Sequence, residues 1–245
     1  MKTPYSDLHL CPNLRDLKQT ASLVNRACEL GYRQIGITFP SNCTEEEFQH
    51  TRSTLRETGA DIVTRADLKP NTTNDLIRSL RKLRRRFEIL AVMCDSKTVS
   101  RQAAKDRRVD LLNFPSNDYR KRFFDLAEAE LASNSLSSLE IDSKQLLVTE
   151  NHARIRLLSN LRKEAAVAKA FHVPIVFSSG VSNALLIRKP LELAAAMASL
   201  FDLDKESATK TISLNPAAIV RRNREKLDPK FVAPGIRVIR RGKDC

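Results

Sequence analysis

Seven short apolar runs punctuate the chain: Tyr5–Leu10, Arg33–Thr38, Ala60–Thr64, Glu88–Cys94, Val109–Phe114, Leu139–Asp142 and Pro174–Phe177. Successive runs start mostly about 21 to 30 residues apart, the length of one strand plus one helix in a parallel sheet. The stretches between them carry helical period. After Asn13, Leu17, Ala21, Val24 and Cys28 share one face. A Glu-rich helix is expected from Thr44 to Glu57, stopped by Gly59. After Asn71, Leu76, Leu80, Leu83 and Phe87 form a stripe, with Arg78, Arg81, Lys82 and Arg85 away from it. A long helix from Ala153 to Phe171 is read with Ile155, Leu158, Leu161 and Ala165 inward and Arg154, Arg162, Lys163 and Lys169 outward. Pro190, Asp204 and Asn215–Pro216 read as starts of three further helices.

Unbroken alternation of this kind predicts one α/β domain. An open doubly wound sheet fits the pattern, but seven units in 245 residues favour a closed, irregular TIM-like barrel of about seven strands. No eighth strand is legible between Leu200 and Leu227. The expected organisation is a barrel domain over residues 1–227 and a basic C-terminal tail over 228–245, containing GIRVIRRGK.

Charge changes the picture more than composition does. The chain has 42 Lys and Arg against 29 Asp and Glu, a net +13, and such a surface calls for an anionic partner. The cations cluster at 78–87, 100–110, 118–123, 153–163, 187–190 and from Arg221 to Lys243, and arginine prevails in most clusters. Arginine meets phosphate oxygens with a two-pronged fork that lysine lacks. There is no Trp, and most of the ten Phe sit at core-like positions. Phosphate and shape recognition of folded RNA is therefore expected, rather than base stacking along a single strand.

Other chemistries find little support. Five cysteines (Cys11, Cys28, Cys43, Cys94 and Cys245) form no C-x-x-C pair, which argues against a zinc ribbon or a disulfide framework and fits a reducing cytosol. The longest apolar run, Leu193 to Phe201, is too short to span a bilayer, and the start MKTPYSDLHL has no apolar signal core. Six glycines include no dinucleotide or P-loop fingerprint, and Ser178 and Ser179 lie in no nucleophile elbow. On strand one, Asp7 and His9 are expected on the same side. This DLH is similar to the D-x-H-x-H opening of polymerase-and-histidinol-phosphatase metal phosphoesterases, with Cys11 where the second histidine would stand. No further ligands are evident at strand ends, so no metal site and no protein-bound cofactor are expected, and Asp7 and His9 are read as structural.

The segments LRRRFEILAV, SRQAAKDRRVDLLNF, VPIVFSSGVSN, IRKPLELA and ISLNPAAIVRRN, in that order, resemble the ribonuclease P protein component 3 family from about Pro4 to about Asn223. The resemblance implies a distorted α/β barrel and a role as a subunit of the ribonucleoprotein that removes the 5′ leader from precursor tRNA. It places catalysis, with its magnesium, in the ribonuclease P RNA. It implies as partners that RNA, precursor tRNA, protein component 2 and other ribonuclease P subunits, with no membrane. The location would be the cytoplasm in an archaeon and the nucleus or nucleolus in a eukaryote. Carried onto this chain, the RNA-binding candidates are Arg86, Arg101, Arg108, Arg156 and Arg188, with Asp110, Ser178, Ser179, Gly180 and Glu192 in support. An RNA phosphate is expected near Arg188, with Ser178, Ser179 and Gly180 shaping the adjacent turn. Asn215 would cap a helix. The alternative reading is a stand-alone metal-dependent phosphoesterase, which would depend on Asp7 and His9.

Overall fold

A computed structural model describes residues 3–233 and 235–239. Cys245 and the last residues of the basic tail lie outside that range, as does the side chain of Tyr119. The chain alternates β1 (Tyr5–Leu10), α1 (Leu17–Glu29), β2 (Tyr32–Thr38), α2 (Glu45–Leu55), β3 (Asp61–Leu68), α3 (Thr73–Leu83), β4 (Ile89–Met93), α4 (Lys97–Ala104), β5 (Leu111–Asn113), α5 (Leu126–Ser135) and β6 (Ser138–Asp142). It continues through α6 (Ser143–Val148), α7 (Asn151–Ala170), β7 (Ile175–Ser178), α8 (Pro190–Phe201), α9 (Lys205–Lys210) and α10 (Leu214–Leu227). All seven strands pair in parallel in sequence order, β1 through β7. The final strands, β8 (Phe231–Ala233) and β9 (Ile236–Arg237), pair with each other in a separate antiparallel hairpin.

Local chemistry starts and stops the helices where expected. Thr44 and Glu47 form a reciprocal capping box at the head of α2, and Gly59, at φ 69°, ends the turn that follows it. Asp16, Thr72, Ser96, Asp125 and Asp204 each accept a backbone N–H at a helix start. Pro190 opens α8. Helix α10 starts two residues earlier than anticipated, with Ser213 rather than Asn215 at the cap position. Asn215 instead donates from Nδ2 to the Ile175 carbonyl, 2.8 Å away, tying α10 to the foot of β7.

The closed barrel is confirmed, and its seam shows why no eighth strand was legible. At the C-terminal end of the strands β1 and β7 meet directly. Leu10 bridges Val181, and the amides of Gly180 and Cys11 donate to the carbonyls of His9 and Val181, both at 2.9 Å. At the other end the strands diverge, and the turn Thr211–Ser213 fills the gap. The Ser6 amide donates to the Ile212 carbonyl at 2.8 Å and the Phe177 amide to the Thr211 carbonyl at 3.0 Å. A three-residue turn has no strand period, so it leaves no alternating signature.

Two expectations need correction. Strand β3 runs on to Leu68 rather than ending at Thr64, because the charged Arg65 is fully buried inside the barrel. In α7 the buried face is Leu157, Leu161, Glu164, Ala165 and Ala168, whereas Ile155 is 65% exposed. The buried Glu164 is what displaced the stripe: Arg122 grips its carboxylate at 2.7 and 2.6 Å, so a charged residue occupies an inward position.

The main core lies between the sheet and the helices, around residues such as Ile35, Leu80, Leu112, Leu161 and Phe177. A second, smaller core fills the barrel. Leu8, Val63, Ile89, Ala91, Met93, Leu111 and Val176 meet Ile219 and Val220 of α10, which plugs the N-terminal end. Gly36 allows the wall to close, since a Cβ there would lie 2.4 Å from the Leu8 carbonyl oxygen. Gly36→Ala is expected to lower stability by about 1–3 kcal/mol through backbone crowding, read from denaturant midpoints by circular dichroism.

Candidate functional site

In a parallel barrel, chemistry gathers at the C-terminal ends of the strands. Here that end is a closed ion network. The Arg65 guanidinium, with no solvent exposure, donates to both oxygens of Glu140 at 2.6 Å, to Asp67 at 2.7 Å and to the Leu8 carbonyl at 3.0 Å. Asn113 Nδ2 donates to Glu140 at 2.9 Å and to Asp142 at 2.8 Å, and Ser178 Oγ donates to Glu140 at 2.9 Å. The His9 ring bridges Asp142, 2.8 Å from Nδ1, and Asp67, 3.0 Å from Nε2.

Neutral imidazole has one N–H, so donating to two carboxylates requires the doubly protonated ring. Burial and the Arg65 charge oppose that proton, but Asp142 and Asp67 outweigh them and hold the His9 pKa well above its usual value. The Arg65 and His9 charges hold the Asp67 carboxyl far below the usual range against the effect of burial, and those of His9 and Arg65 lower that of Asp142 against the same effect. Burial likewise opposes the charge on Arg65, yet Asp67 and Glu140 keep it firmly protonated.

The expected side-by-side placement of Asp7 and His9 does not survive. The β1–β2 register shifts between Asp7 and Leu10, so the strict alternation of strand side chains breaks there. Leu8 packs into the barrel core while the next residue, His9, enters the ion network. Asp7 Oδ1 accepts instead from the amides of His9 and Ser179, and burial raises its pKa.

Two triads have ligand atoms close enough for a metal ion: His9, Cys11 and Asp67, and His9, Glu140 and Asp142. The donors suit a guanidinium better than a divalent cation. Glu140 is clasped on both oxygens by Arg65, Asp67 is shared between Arg65 and His9, and Asp142 between His9 and Asn113. A divalent ion would sit against two positive groups already holding its ligands.

At the N-terminal end a second network surrounds α10. Arg224 grips Asp61 at 2.9 and 2.7 Å and Glu88 at 2.6 Å, and Glu88 also takes Arg52 at 2.8 Å and the Thr64 amide at 2.6 Å. The buried Asp110 carboxylate receives Arg84, Arg222 at 3.0 Å, Asn223 at 2.8 Å and the Leu90 amide at 2.9 Å.

The sequence candidates scatter over this frame. Arg86 donates to the Cys43 carbonyl and lies over the Phe87 ring. Arg101 is paired with Asp125 at 2.6 Å and Glu128 at 2.5 Å, and Arg108 folds back on Asp106 at 2.9 and 2.6 Å. Arg188 donates to the carbonyls of Leu185 and Ile187. Arg156 is exposed on α7, with no carboxylate partner among the described residues.

The supporting residues serve the frame. Asp110 anchors two arginines, and Glu192 accepts the Lys189 amide at the start of α8. Ser178, Ser179 and Gly180 are buried at the barrel seam. Ser179 Oγ donates to the His9 carbonyl, and Gly180, at φ 67°, leaves no room for a Cβ beside Asp142.

Sequence reasoning missed Arg65, Asp67, Glu140 and Asn113. A signal was present: DLH, RAD and EID each place two polar groups one residue apart within a strand.

Comparison with known proteins follows from this geometry. A family model described as RNase P subunit p30 matches residues 4–228. The chain is 28% identical over 236 residues to ribonuclease P protein component 3 of Methanosarcina barkeri, covering 96% of this chain and 95% of the relative. To the protein of the same name from Methanococcoides burtonii it is 26% identical, covering 94% and 91%. Its fold matches a chain in a cryo-EM structure of archaeal ribonuclease P with mature tRNA, at TM-score 0.82 and 20% identity, over 96% of this chain and 99% of the other. It also matches dihydroorotase from Campylobacter jejuni, at TM-score 0.55 and 14% identity, over 95% and 85%. At these identities the two structural likenesses establish the barrel fold alone.

Breaking the buried pair tests the network. Arg65→Met, which strands Glu140, is expected to cost about 3–5 kcal/mol, while Arg65→Met with Glu140→Leu recovers much of that loss in urea unfolding. The His9 contribution has a definite sign. Its folded pKa is raised, so the stability it supplies is complete below the unfolded value of about 6.5 and is lost as pH rises through the folded value. The stability gap between wild type and His9→Gln, read from urea unfolding, should therefore be widest below about pH 6.5 and shrink as pH rises above it.

Proposed function

Because the chain belongs to the ribonuclease P subunit p30 family, we propose that it binds the ribonucleoprotein's RNA and holds it in a cleavage-competent fold, while the reaction itself proceeds on the RNA. The chain is a protein subunit of ribonuclease P, the assembly that processes precursor tRNA. One observation carries the division of labour. At the end of the barrel where enzymes of this fold keep their chemistry, Arg65 and its carboxylates are engaged with one another. A stand-alone metal phosphoesterase needs its carboxylates free, so this pairing favours the subunit reading over that alternative.

On this reading the protein brings no cofactor of its own, and magnesium accompanies the RNA. Its contribution is electrostatic. A net charge of +13 displaces counterions from folded RNA and lowers the magnesium needed to hold it. The partners on this reading are the ribonuclease P RNA, precursor tRNA, protein component 2 and further subunits; the matched structure is of archaeal ribonuclease P with mature tRNA, and the relatives are named as its protein component 3. No described helix is long and apolar enough to cross a membrane. We place the protein where precursor tRNA is made: the cytoplasm of an archaeon, or the nucleus or nucleolus of a eukaryote.

Reconstitution tests the proposal. Adding the full chain with protein component 2 to ribonuclease P RNA at limiting magnesium should raise the rate of precursor-tRNA leader removal at least about tenfold, equivalent to roughly 1.4 kcal/mol. The protein alone should release no leader. Turnover by the protein without RNA would refute the proposal.

A further inference from the structure

Among the cationic surfaces, one is neither neutralised by its own carboxylates nor dispersed along a single helix. A groove of about 580 Å³ runs between the residues that follow α3, the C-terminal end of α10 and β8. Its walls include Arg84, Arg85, Asn223, Lys226, Asp228 and Phe231. Asp228 is the one carboxylate lining it among the described residues, and its Oδ1 is taken by the Lys230 amide.

The cations are of two kinds. Arg84 and Arg222 are fixed. Arg84 donates to the carbonyls of Phe87, Glu88 and Arg108 as well as to Asp110, and Arg222 to the Leu136 carbonyl and the same Asp110. One buried carboxylate thus answers two guanidinium groups, and Arg222 Nε, itself buried, has no partner. Arg85, Arg107 and Lys226 are exposed and hold no carboxylate among the described residues. The excess is felt at Lys226: burial first, then the charges of Arg222, Arg84 and Arg107, lower its pKa, with only Asp110 opposing. Loose cations on a floor of fixed ones suit a chain of phosphates, whose charge recurs along its length. The half-buried Phe231 offers an apolar surface for a ribose or base beside them.

We infer that this groove, at the N-terminal end of the barrel, binds the sugar-phosphate backbone of RNA, with Arg85 and Lys226 of its wall, and Arg107 beside Lys226, making the phosphate contacts. The inference rests on the proposed role within ribonuclease P and adds which face of the barrel meets the RNA. None of the five arginines carried over by resemblance is among these three.

The test uses the full chain and ribonuclease P RNA, with affinity measured across a series of KCl concentrations. Each of Arg85→Ala, Arg107→Ala and Lys226→Ala should weaken binding and lower the salt slope by about one, and the triple variant by roughly two to three. Thermal melting should be unchanged for Arg85→Ala and Arg107→Ala, whose side chains are exposed, so any loss of binding in them is not a loss of fold. A triple variant that keeps the wild-type slope, while Arg156→Ala or Arg188→Ala lowers it, would overturn the groove and leave the proposed function standing. A triple variant that keeps the slope but no longer co-purifies with protein component 2 would make the groove a protein-docking surface and also overturn the inference. A wild-type chain that neither binds the RNA nor stimulates cleavage would remove the proposed function, and the groove with it.

Discussion

The buried guanidinium of Arg65 is the constraint around which the rest of the barrel is arranged. Removing such a charge from water costs several kcal/mol, and only multiple well-aimed acceptors offset it. Glu140 supplies two, Asp67 one and the Leu8 carbonyl one. These groups stand on β3, β6 and β1, so satisfying one side chain fixes the mutual placement of three strands, two of them on opposite sides of the ring. His9 then ties β1 to β3 and β6 again through Asp67 and Asp142, and Asn113 brings in β5. The interior is cross-braced by charge where a larger barrel would rely on side-chain volume alone.

The two ends of the barrel consequently differ in electrical character. At the C-terminal end cations and carboxylates interlock inside the wall. At the N-terminal end α10 inserts Ile219 and Val220 as an apolar stopper and carries Arg222 and Arg224 to the rim. The acids there, Asp61, Glu88 and Asp110, are fewer than the bases around them and lie mostly beneath the surface. A fold known for chemistry at one end here pairs the charges of that end with one another and carries an excess of bases at the other.

Much of the frame was legible in the residues. The seven strands, the capped starts of α2, α8 and α9, and the Leu76–Leu80–Leu83 stripe of α3 all follow from period and cap chemistry. What escaped shares one cause: a charged residue at an inward position. Arg65 cut β3 short in the reading, and Glu164 displaced the inward stripe of α7. Both are paired across long sequence separations, Arg65 with Glu140 and Glu164 with Arg122, and a pattern read along one segment cannot contain its distant partner. The same holds for the site. The motif resemblance supplied arginines one at a time, whereas Asp110 became meaningful only once the fold set Arg84 and Arg222 against it.

The seam of the barrel carries a consequence for how the ring comes to exist. The acceptors for the Ser6 and Phe177 amides are the carbonyls of Ile212 and Thr211, which follow all seven barrel strands in the sequence. Without those residues the sheet would be an open fan with one edge unsealed at its foot. The sealing turn leads directly into α10, which fills the mouth it closes, so one continuous segment both seals the ring and plugs the lumen.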